Sequence, residues 1–328
     1  MKHFRSRRRM LATSFGTMFG STVAMNAMGT LSAQGTSESE PDLTPDPETE
    51  PFLYSFNTGT IMGQQLPLPD EVRIVARAGY HGIEPWCRKI HEYVEKGESL
   101  DELRKQIDDS GLMVVGAIGF ADWANEDPDR SQRGFEEMRR DMDVVARIGG
   151  TRIAAPAGGL FNVENPDLRV LAEKFGKICE LGREMGVQPC LEPWGASKGF
   201  SRLSAVAMVL AECGVTDAMC CLDVFHIYKS GADFAGLGIF SGRSIGNFHI
   251  NDYPADPPRE TATDGDRVMP GEGVAPLSMI LRTLHKNGYS GPLSLELFNP
   301  KYFAMDAYDV AVMGLAETRR VVRATLQQ

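Results

Sequence analysis

Short apolar runs alternate with longer amphipathic stretches from Phe52 to the end of the chain. The short runs are four to six residues long, and runs of this kind between turn residues are typical of buried strands. The predicted strands are Leu53–Asn57, Gly82–Pro85, Met113–Ile118, Arg152–Pro156, Gln188–Glu192, Met219–Asp223, Ile245–Ile250 and Leu293–Leu297.

The stretches between these strands have apolar residues at helical spacing. The predicted helices are Pro69–Ala78, Leu100–Ser110, Arg133–Ile148, Leu168–Met185, Leu203–Cys213, Pro276–Asn287 and Ala307–Leu326. A weaker eighth helix, Ala232–Phe240, is interrupted by two glycines. Glycine follows six of the helices, which is a common helix ending.

Eight strands and eight helices alternate within the 277 residues 52–328, and this pattern predicts an α/β protein with a (β/α)8 TIM barrel. A doubly wound parallel sheet is the alternative, and it usually carries a glycine-rich phosphate loop after its first strand. Residues 58–63, Thr-Gly-Thr-Ile-Met-Gly, lack the third glycine and an immediately following helix. The barrel is therefore favoured.

The first 33 residues have the pattern of an export signal. Five basic groups lie within the first nine residues, and no charged residue occurs from Met10 to Ser37. The run Ser6-Arg7-Arg8-Arg9-Met10-Leu11 resembles the twin-arginine signature. We expect recognition by the twin-arginine export machinery, cleavage near Ala33 and a periplasmic protein. The alternative is an uncleaved signal that anchors the protein in the membrane.

Residues 34–51 consist mainly of Ser, Thr, Glu, Asp and Pro, which predicts a disordered acidic linker before a barrel domain of residues 52–328. The whole chain carries 34 basic and 44 acidic residues, and removal of the signal leaves 29 against 44. Such acidity argues against nucleic acid as a partner, because phosphate contacts need a basic surface. Six cysteines in 328 residues are too few for a disulfide scaffold.

Acidic residues and histidines lie at the predicted strand ends, which is where a barrel of this kind has its active site. Four consecutive strands contribute an oxygen-rich set with one imidazole, which suits Mn²⁺ or Mg²⁺ best and also accepts Co²⁺ or Zn²⁺. A single polar strand end is unremarkable, but crowded carboxylates repel one another unless a cation is present. The residues are Glu84, Glu192, Asp223, His226, His249, Asp252 and Glu296.

The spacing of these residues resembles the sugar phosphate isomerase/epimerase superfamily, the xylose isomerase-like TIM barrels. Asp223 follows Glu192 by 31 residues, His249 follows by 26 more, and Glu296 by 47 more. The Asp-x-x-His step at Asp223, the His-x-x-Asp step at His249 and the Pro-Gly-Glu-Gly run from Pro270 also match. These motifs are specific for the superfamily but not for one reaction.

The resemblance implies that Glu192, Asp223, His249 and Glu296 bind one divalent metal ion, which holds two adjacent substrate oxygens and stabilises an enediolate. It also implies that Glu192 and Glu296 are catalytic and exchange the substrate proton from opposite faces. Residues that would contact substrate are His226, Arg267, Asp252 and Glu84, with Arg259 as the alternative arginine and with Glu84 alternatively supporting a metal ligand.

Tryptophan, cysteine and histidine residues also lie near the predicted strand ends. Trp86, Trp123 and Trp194 each follow a strand, where indoles either form stacking walls for a sugar or pack the loops together. Cys190 and Cys221 precede two of the ligands by two residues, so we expect packed thiols one layer below the metal. His91 lies in the loop after the second strand and is able to approach the site, whereas His81 and His285 lie at the opposite end.

The predicted function is a divalent-metal-dependent isomerase or epimerase of a free sugar, keto-sugar or cyclitol. The alternative is a lyase or dehydratase acting on a keto-sugar, including elimination from 3-keto-glycosides. An endonuclease is disfavoured by the acidity and by the five histidines that follow the signal. A non-catalytic sugar-binding protein is disfavoured by the complete set of metal ligands. The sequence leaves open whether the protein forms a homo-oligomer.

Overall fold

Eight short parallel strands form one curled sheet in the computed structural model, which describes residues 50–327. The order across the sheet is β3-β2-β1-β8-β7-β6-β5-β4. Single pairings of Ile118 with Trp86 and with Ala154 connect its two ends. The prediction of a (β/α)8 TIM barrel is therefore confirmed. The strands are β1 Leu53–Asn57, β2 Gly82–Glu84, β3 Met113–Val114, β4 Arg152–Pro156, β5 Gln188–Glu192, β6 Met219–Asp223, β7 Ile245–Ile250 and β8 Pro292–Leu295.

The helices surround the sheet and follow the predicted pattern with a few additions. They are α1 Leu68–Ala78, α2 Cys87–Glu95, α3 Leu100–Asp109, α4 Pro128–Arg147, α5 Leu168–Met185, α6 Leu203–Glu212, α7 Val224–Lys229, α8 Leu277–Lys286, α9 Pro300–Phe303 and α10 Ala307–Leu326. Short 3-10 segments cover Thr58–Gln64, Phe234–Ile239, Gly242–Ser244 and Asp264–Asp266. The weaker predicted helix is thus a 3-10 segment.

Helix boundaries differ from the prediction where capping residues decide them. Helix α4 begins five residues earlier than expected, because the Asp127 side chain accepts a hydrogen bond from the Arg130 amide and Pro128 occupies the first turn. Gly79 and Gly186 end α1 and α5 with φ of 89° and 70°, as expected for left-handed helix ends. Helices α2, α7 and α9 were not predicted.

The ordered barrel begins before Phe52. Glu50 is buried and bonded by Arg319, Arg323 and the Tyr54 hydroxyl, although the prediction placed it in the linker. The predicted signal, residues 1–33, and the linker up to residue 49 lie outside the described residues. Among residues 50–327, the helices are too short or too polar to cross a bilayer.

All six cysteines are buried and free, as expected for packed thiols. Cys190 lies inside the barrel, and burial raises its pKa to about 12. Cys221 Sγ lies 3.5 Å from His249 Nε2, which places this thiol directly beneath the candidate metal ligands.

Candidate metal centre and active site

The four predicted metal ligands converge on one point at the carboxyl ends of neighbouring strands. Glu192 and Asp223 end β5 and β6, His249 lies in β7 opposite Asp223, and Glu296 follows β8. His249 Nδ1 is 3.4 Å from Glu192 Oε1, 3.3 Å from Glu296 Oε2 and 3.8 Å from Asp223 Oδ2. All four side chains are buried.

This geometry fits a divalent cation. Donors about 2.0 to 2.2 Å from one ion lie about 3 to 4 Å from each other, which is the spacing around His249 Nδ1. Two overlapping groups, one of Asp223, His249 and Glu296 and one of Glu192, Cys221 and His249, have donor atoms within 4.8 Å of one another. The oxygen-rich chemistry of the set fits Mn²⁺ or Mg²⁺, and its imidazole and thiol also suit Zn²⁺.

The charges around the site also favour a cation. Burial by itself lowers the pKa of His249, but the adjacent Cys221, Glu296 and Glu84 outweigh burial and raise it well above the ordinary value. The groups around the imidazole therefore favour positive charge in the cluster. A divalent cation among the carboxylates would balance their negative charge in place of a proton.

Glu84 lies behind His249, which fits the second of the two roles predicted for it. It is buried and accepts hydrogen bonds from His249 Nε2 at 3.1 Å, from Ser294 Oγ at 2.8 Å and from the side-chain amides of Asn57 and Asn247. The bond to Nε2 leaves the Nδ1 lone pair of His249 facing the other ligands. Glu84 therefore orients the imidazole, as carboxylates commonly do behind metal-binding histidines, which favours the predicted support of a metal ligand over the predicted contact with substrate.

Arg267 lies inside the ligand cluster. Its Nη1 is 2.8 Å from both Asp223 Oδ2 and Glu296 Oε2. Its Nε donates to Asp264 at 3.1 Å. Burial opposes its charge, but Asp223, Asp264 and Glu296 outweigh burial and raise its pKa. The structure thus selects Arg267 over the exposed Arg259 as the arginine of the site.

His226 lies beside this arginine, with Nε2 3.4 Å from Arg267 Nη2. Its ring is partly buried, and its Nδ1 is among the buried polar atoms without a hydrogen-bond partner in the described part of the chain. The nitrogen that faces the ligand cluster is therefore Nε2, beside the arginine that binds Asp223 and Glu296. The predicted contact of His226 with substrate is compatible with this position.

Asp252 stabilises a loop and does not face the site. Its carboxylate accepts hydrogen bonds from the backbone amides of Gly271, Gly273 and Ala275 at 2.8 to 3.1 Å. These bonds fix the Pro-Gly-Glu-Gly run after β7. Its side chain is fully engaged by backbone donors, which disfavours the predicted contact of Asp252 with substrate.

Two of the three tryptophans lie at the site. Trp194 Nε1 donates to Glu192 Oε2 at 3.1 Å, and Trp86 Nε1 donates to Asn57 Oδ1 at 2.8 Å. Trp123 is fully buried against Phe175, so it packs the loop and does not form a wall of the site. His91 pairs with Asp141 on α4 and does not approach the ligands.

Several residues of the site were not predicted. Asn247 and Ser294 precede His249 and Glu296 by two positions, so strand alternation points them to the same interior and was a usable signal. Asn57 ends β1, where a polar residue was also a signal. The aromatic neighbours Phe120, Phe161 and Phe298 lie in loops, where no periodicity marks them.

The chain is similar to known proteins in sequence and in structure. The inosose isomerase of Halalkalibacterium halodurans is 31% identical over 271 residues, which are 81% of this chain and 95% of the relative. The 3-dehydroshikimate dehydratase of Pseudomonas aeruginosa is 27% identical over 260 residues, 76% of this chain and 39% of the relative. A solved structure of the IolI protein with a bound zinc atom has a TM-score of 0.78 at 23% identity, covering 84% of this chain and 99% of that one.

Both sequence relatives are enzymes, and this confirms the prediction that the chain is an enzyme. The IolI structure shows that the fold is shared. Residues 72–321 match the family described as the xylose isomerase-like TIM barrel. The match spans most of the chain, so this protein belongs to the xylose isomerase-like TIM barrel family.

Proposed function

We propose that the protein is a divalent-metal-dependent isomerase or epimerase of a sugar, keto-sugar or cyclitol. The observation that carries the proposal is the placement of Glu192 and Glu296 on either side of His249 Nδ1, at 3.4 and 3.3 Å. The two carboxylates come from β5 and from the end of β8, with β6 and β7 between them. A substrate above Nδ1 would have one carboxylate on each side, and the inosose isomerase relative supports this reaction class.

Glu192, Asp223, His249 and Glu296 would hold the cation, which supplies positive charge to two adjacent substrate oxygens and so lowers the cost of an enediolate. One glutamate removes the proton next to the substrate carbonyl, and the other returns a proton from the opposite side. Trp194 holds Glu192 by its indole N–H, and Asn57 holds Glu296 Oε1 at 2.9 Å. Both bases are thereby fixed in direction before substrate arrives.

Arg267 and His226 position the catalytic carboxylate and the substrate. Arg267 donates to Glu296 Oε2 at 2.8 Å and so fixes the direction of this carboxylate. His226 lies beside Arg267, where its Nε2 would contact a substrate oxygen. Both bases are buried, so bulk water is excluded while substrate is bound. Between turnovers the glutamate that returns the proton equilibrates with solvent, so the proton it delivers is solvent-derived.

Deuterium exchange tests the proposal. Metal-loaded protein is incubated in D₂O with free ketoses, inososes and 3-keto-glycosides, and deuterium at the substrate carbon is followed by NMR. We expect incorporation by the wild type and a loss of at least about a hundredfold in Glu296→Gln and in Glu192→Gln. Metal content is measured in each variant, because the amide keeps one oxygen donor. Exchange that persists in both metal-loaded variants would contradict the mechanism.

A dehydratase acting through the same site is the second candidate. The relative from Pseudomonas aeruginosa, a 3-dehydroshikimate dehydratase, supports it, although the match covers only 39% of that protein. The same base would remove the proton, and a neighbouring hydroxyl or glycosyl group would leave. Mass spectrometry of the products separates the two reactions, because isomerisation conserves mass whereas elimination releases water or an alcohol.

We also propose that residues 1–33 direct export through the twin-arginine route. The basic cluster with Arg7 and Arg8, followed by the uncharged run from Met10, supports this proposal. Expression of the full chain followed by cell fractionation tests it. We expect the processed protein in the periplasm and retention of the double variant Arg7→Lys/Arg8→Lys inside the cell. Equal distribution of the two proteins would contradict the proposal.

A further inference from the structure

Four aromatic rings form a continuous row beside the candidate metal centre. Trp86, Phe120, Trp194 and Phe161 follow one another, with ring centroids 5.0, 5.9 and 6.1 Å apart. These separations lie within the range in which aromatic rings attract one another. We call these four residues the aromatic strip.

Hydrogen bonds connect the aromatic strip to the two glutamates. The Trp194 indole N–H donates directly to Glu192. The Trp86 indole N–H donates to Asn57, whose amide donates to Glu296. A sugar whose reacting carbon lies between the glutamates therefore lies next to both indoles. The strip is a continuation of the active site and not a separate surface patch.

The strip extends farther than one sugar requires. Phe161 adds a further ring, because it packs on the Trp194 indole that bonds Glu192. Phe120 and Phe161 are 40% and 42% exposed. Among the large apolar side chains of residues 50–327 that are exposed to solvent, these two are the aromatic ones. Exposed rings next to a polar site indicate an apolar ligand surface.

We propose that the outer part of the aromatic strip, the exposed Phe120 and Phe161 with the half-buried Trp194, binds a second ring that is linked to the reacting sugar. The substrate is then a glycoside and not a free monosaccharide. Sugar rings and aryl rings both present flat apolar faces, so both stack on these side chains. This inference rests on the proposed function, because the strip contacts a second ring of the substrate only if the reacting sugar lies between Glu192 and Glu296.

Binding of three glucosides to the metal-loaded protein tests the inference. Methyl β-D-glucopyranoside offers one ring, whereas phenyl β-D-glucopyranoside offers an added aryl ring and cellobiose an added sugar ring. Dissociation constants are measured by calorimetry, so turnover is not needed. We expect at least one of the two-ring probes to bind about tenfold more tightly than the methyl glucoside, as expected for one ring stacked between aromatic side chains. The probe that binds more tightly identifies the kind of second ring.

The variants Phe120→Ala and Phe161→Ala should reduce this preference to about twofold or less. Both side chains are exposed, so the variants should keep the fold, which circular dichroism checks. Ile239→Ala, at a residue that is exposed outside the strip, is the matched control and should keep the preference. Weak or equal binding of all three probes to the wild type, or a preference that survives in both phenylalanine variants, would overturn the inference.

Deuterium exchange separates this inference from the proposed function. Exchange without any ring preference leaves the isomerase chemistry standing and removes the role of the aromatic strip. A ring preference that depends on Phe161, without any exchange, supports the strip as a ring-binding surface and removes the proposed reaction.

Discussion

Glu84→Gln should weaken metal binding although residue 84 would not touch the metal. In the structure, Glu84 accepts the Nε2–H of His249 at 3.1 Å and also accepts bonds from Asn57, Asn247 and Ser294. Glutamine has the same shape, but it brings an NH₂ group into a set of donors. At least one donor then loses its acceptor, and the bond that directs the imidazole is weakened.

The expected loss follows from the role of such carboxylates. Removing the carboxylate partner of a metal-binding histidine typically lowers metal affinity by 10- to 100-fold, or about 1.4 to 2.8 kcal/mol. We expect the dissociation constant for Mn²⁺ or Zn²⁺, measured by competition with a chromogenic chelator, to rise by that factor. Glu71→Gln is the control, because Glu71 is also buried but pairs with Lys89 outside the site.

A different outcome would refute the reasoning. If Glu84→Gln left metal affinity unchanged and raised KM, Glu84 would contact the substrate, as the sequence first suggested. If Glu71→Gln lowered metal affinity as much as Glu84→Gln, the loss would reflect general disturbance of the barrel. A raised dissociation constant in Glu84→Gln alone supports the orientation of His249.

Three further predictions concern stability and the loop after β7. Burial opposes the charge of Glu50, but hydrogen bonds from Arg319 and Arg323 outweigh burial and lower its pKa to about 2. The ionised Glu50 then stabilises the folded protein by about 2 kcal/mol above the ordinary pKa, and this stabilisation should be lost as pH falls from about 4.5 to 2. Urea titrations should find the loss in the wild type and not in Glu50→Gln. Burial raises the pKa of Glu71 to about 7 despite the neighbouring Lys89. Between about pH 4.5 and 7 the folded protein holds a proton that the unfolded chain has released, so the free energy of unfolding should fall as pH rises through this range. If the free energy of unfolding of the wild type varied with pH as little as that of Glu71→Gln, this reasoning would be refuted. Asp252→Ala removes the acceptor of four backbone amides, those of Tyr253, Gly271, Gly273 and Ala275. Hydrogen exchange in residues 270–275 should become at least tenfold faster, whereas unchanged protection would show that other contacts hold the loop.

Periodicity along the chain was sufficient to predict the barrel. Each strand has a short apolar run, and most helices have an amphipathic pattern with a glycine at the end. The predicted helix ends were misplaced where a capping residue sets the end, as at the start of α4, where Asp127 caps the helix and Pro128 begins it. Helix α2 was missed because it is only nine residues long, although Cys87 and Ile90 carry its buried face at helical spacing.

The candidate ligands could be predicted because parallel strands end at one edge of a barrel, so the polar strand ends Glu192, Asp223 and Glu296 had to lie near His249. The roles of other acidic residues could not be predicted in the same way. Glu84 and Asp252 also follow strands, but one bonds the imidazole of His249 and the other bonds a loop. A carboxylate at a strand end has the same local pattern whether its partner is a metal, an imidazole or a backbone amide.

The sequence by itself determined the class of fold and the set of residues at the catalytic end, because both depend on alternation within single strands and helices. Tertiary structure decided which of these residues contact one another. The contact of Trp194 with Phe161 and the insertion of Arg267 between Asp223 and Glu296 join residues from different loops. Such contacts depend on barrel closure and on loop packing, and no periodicity within one segment encodes them.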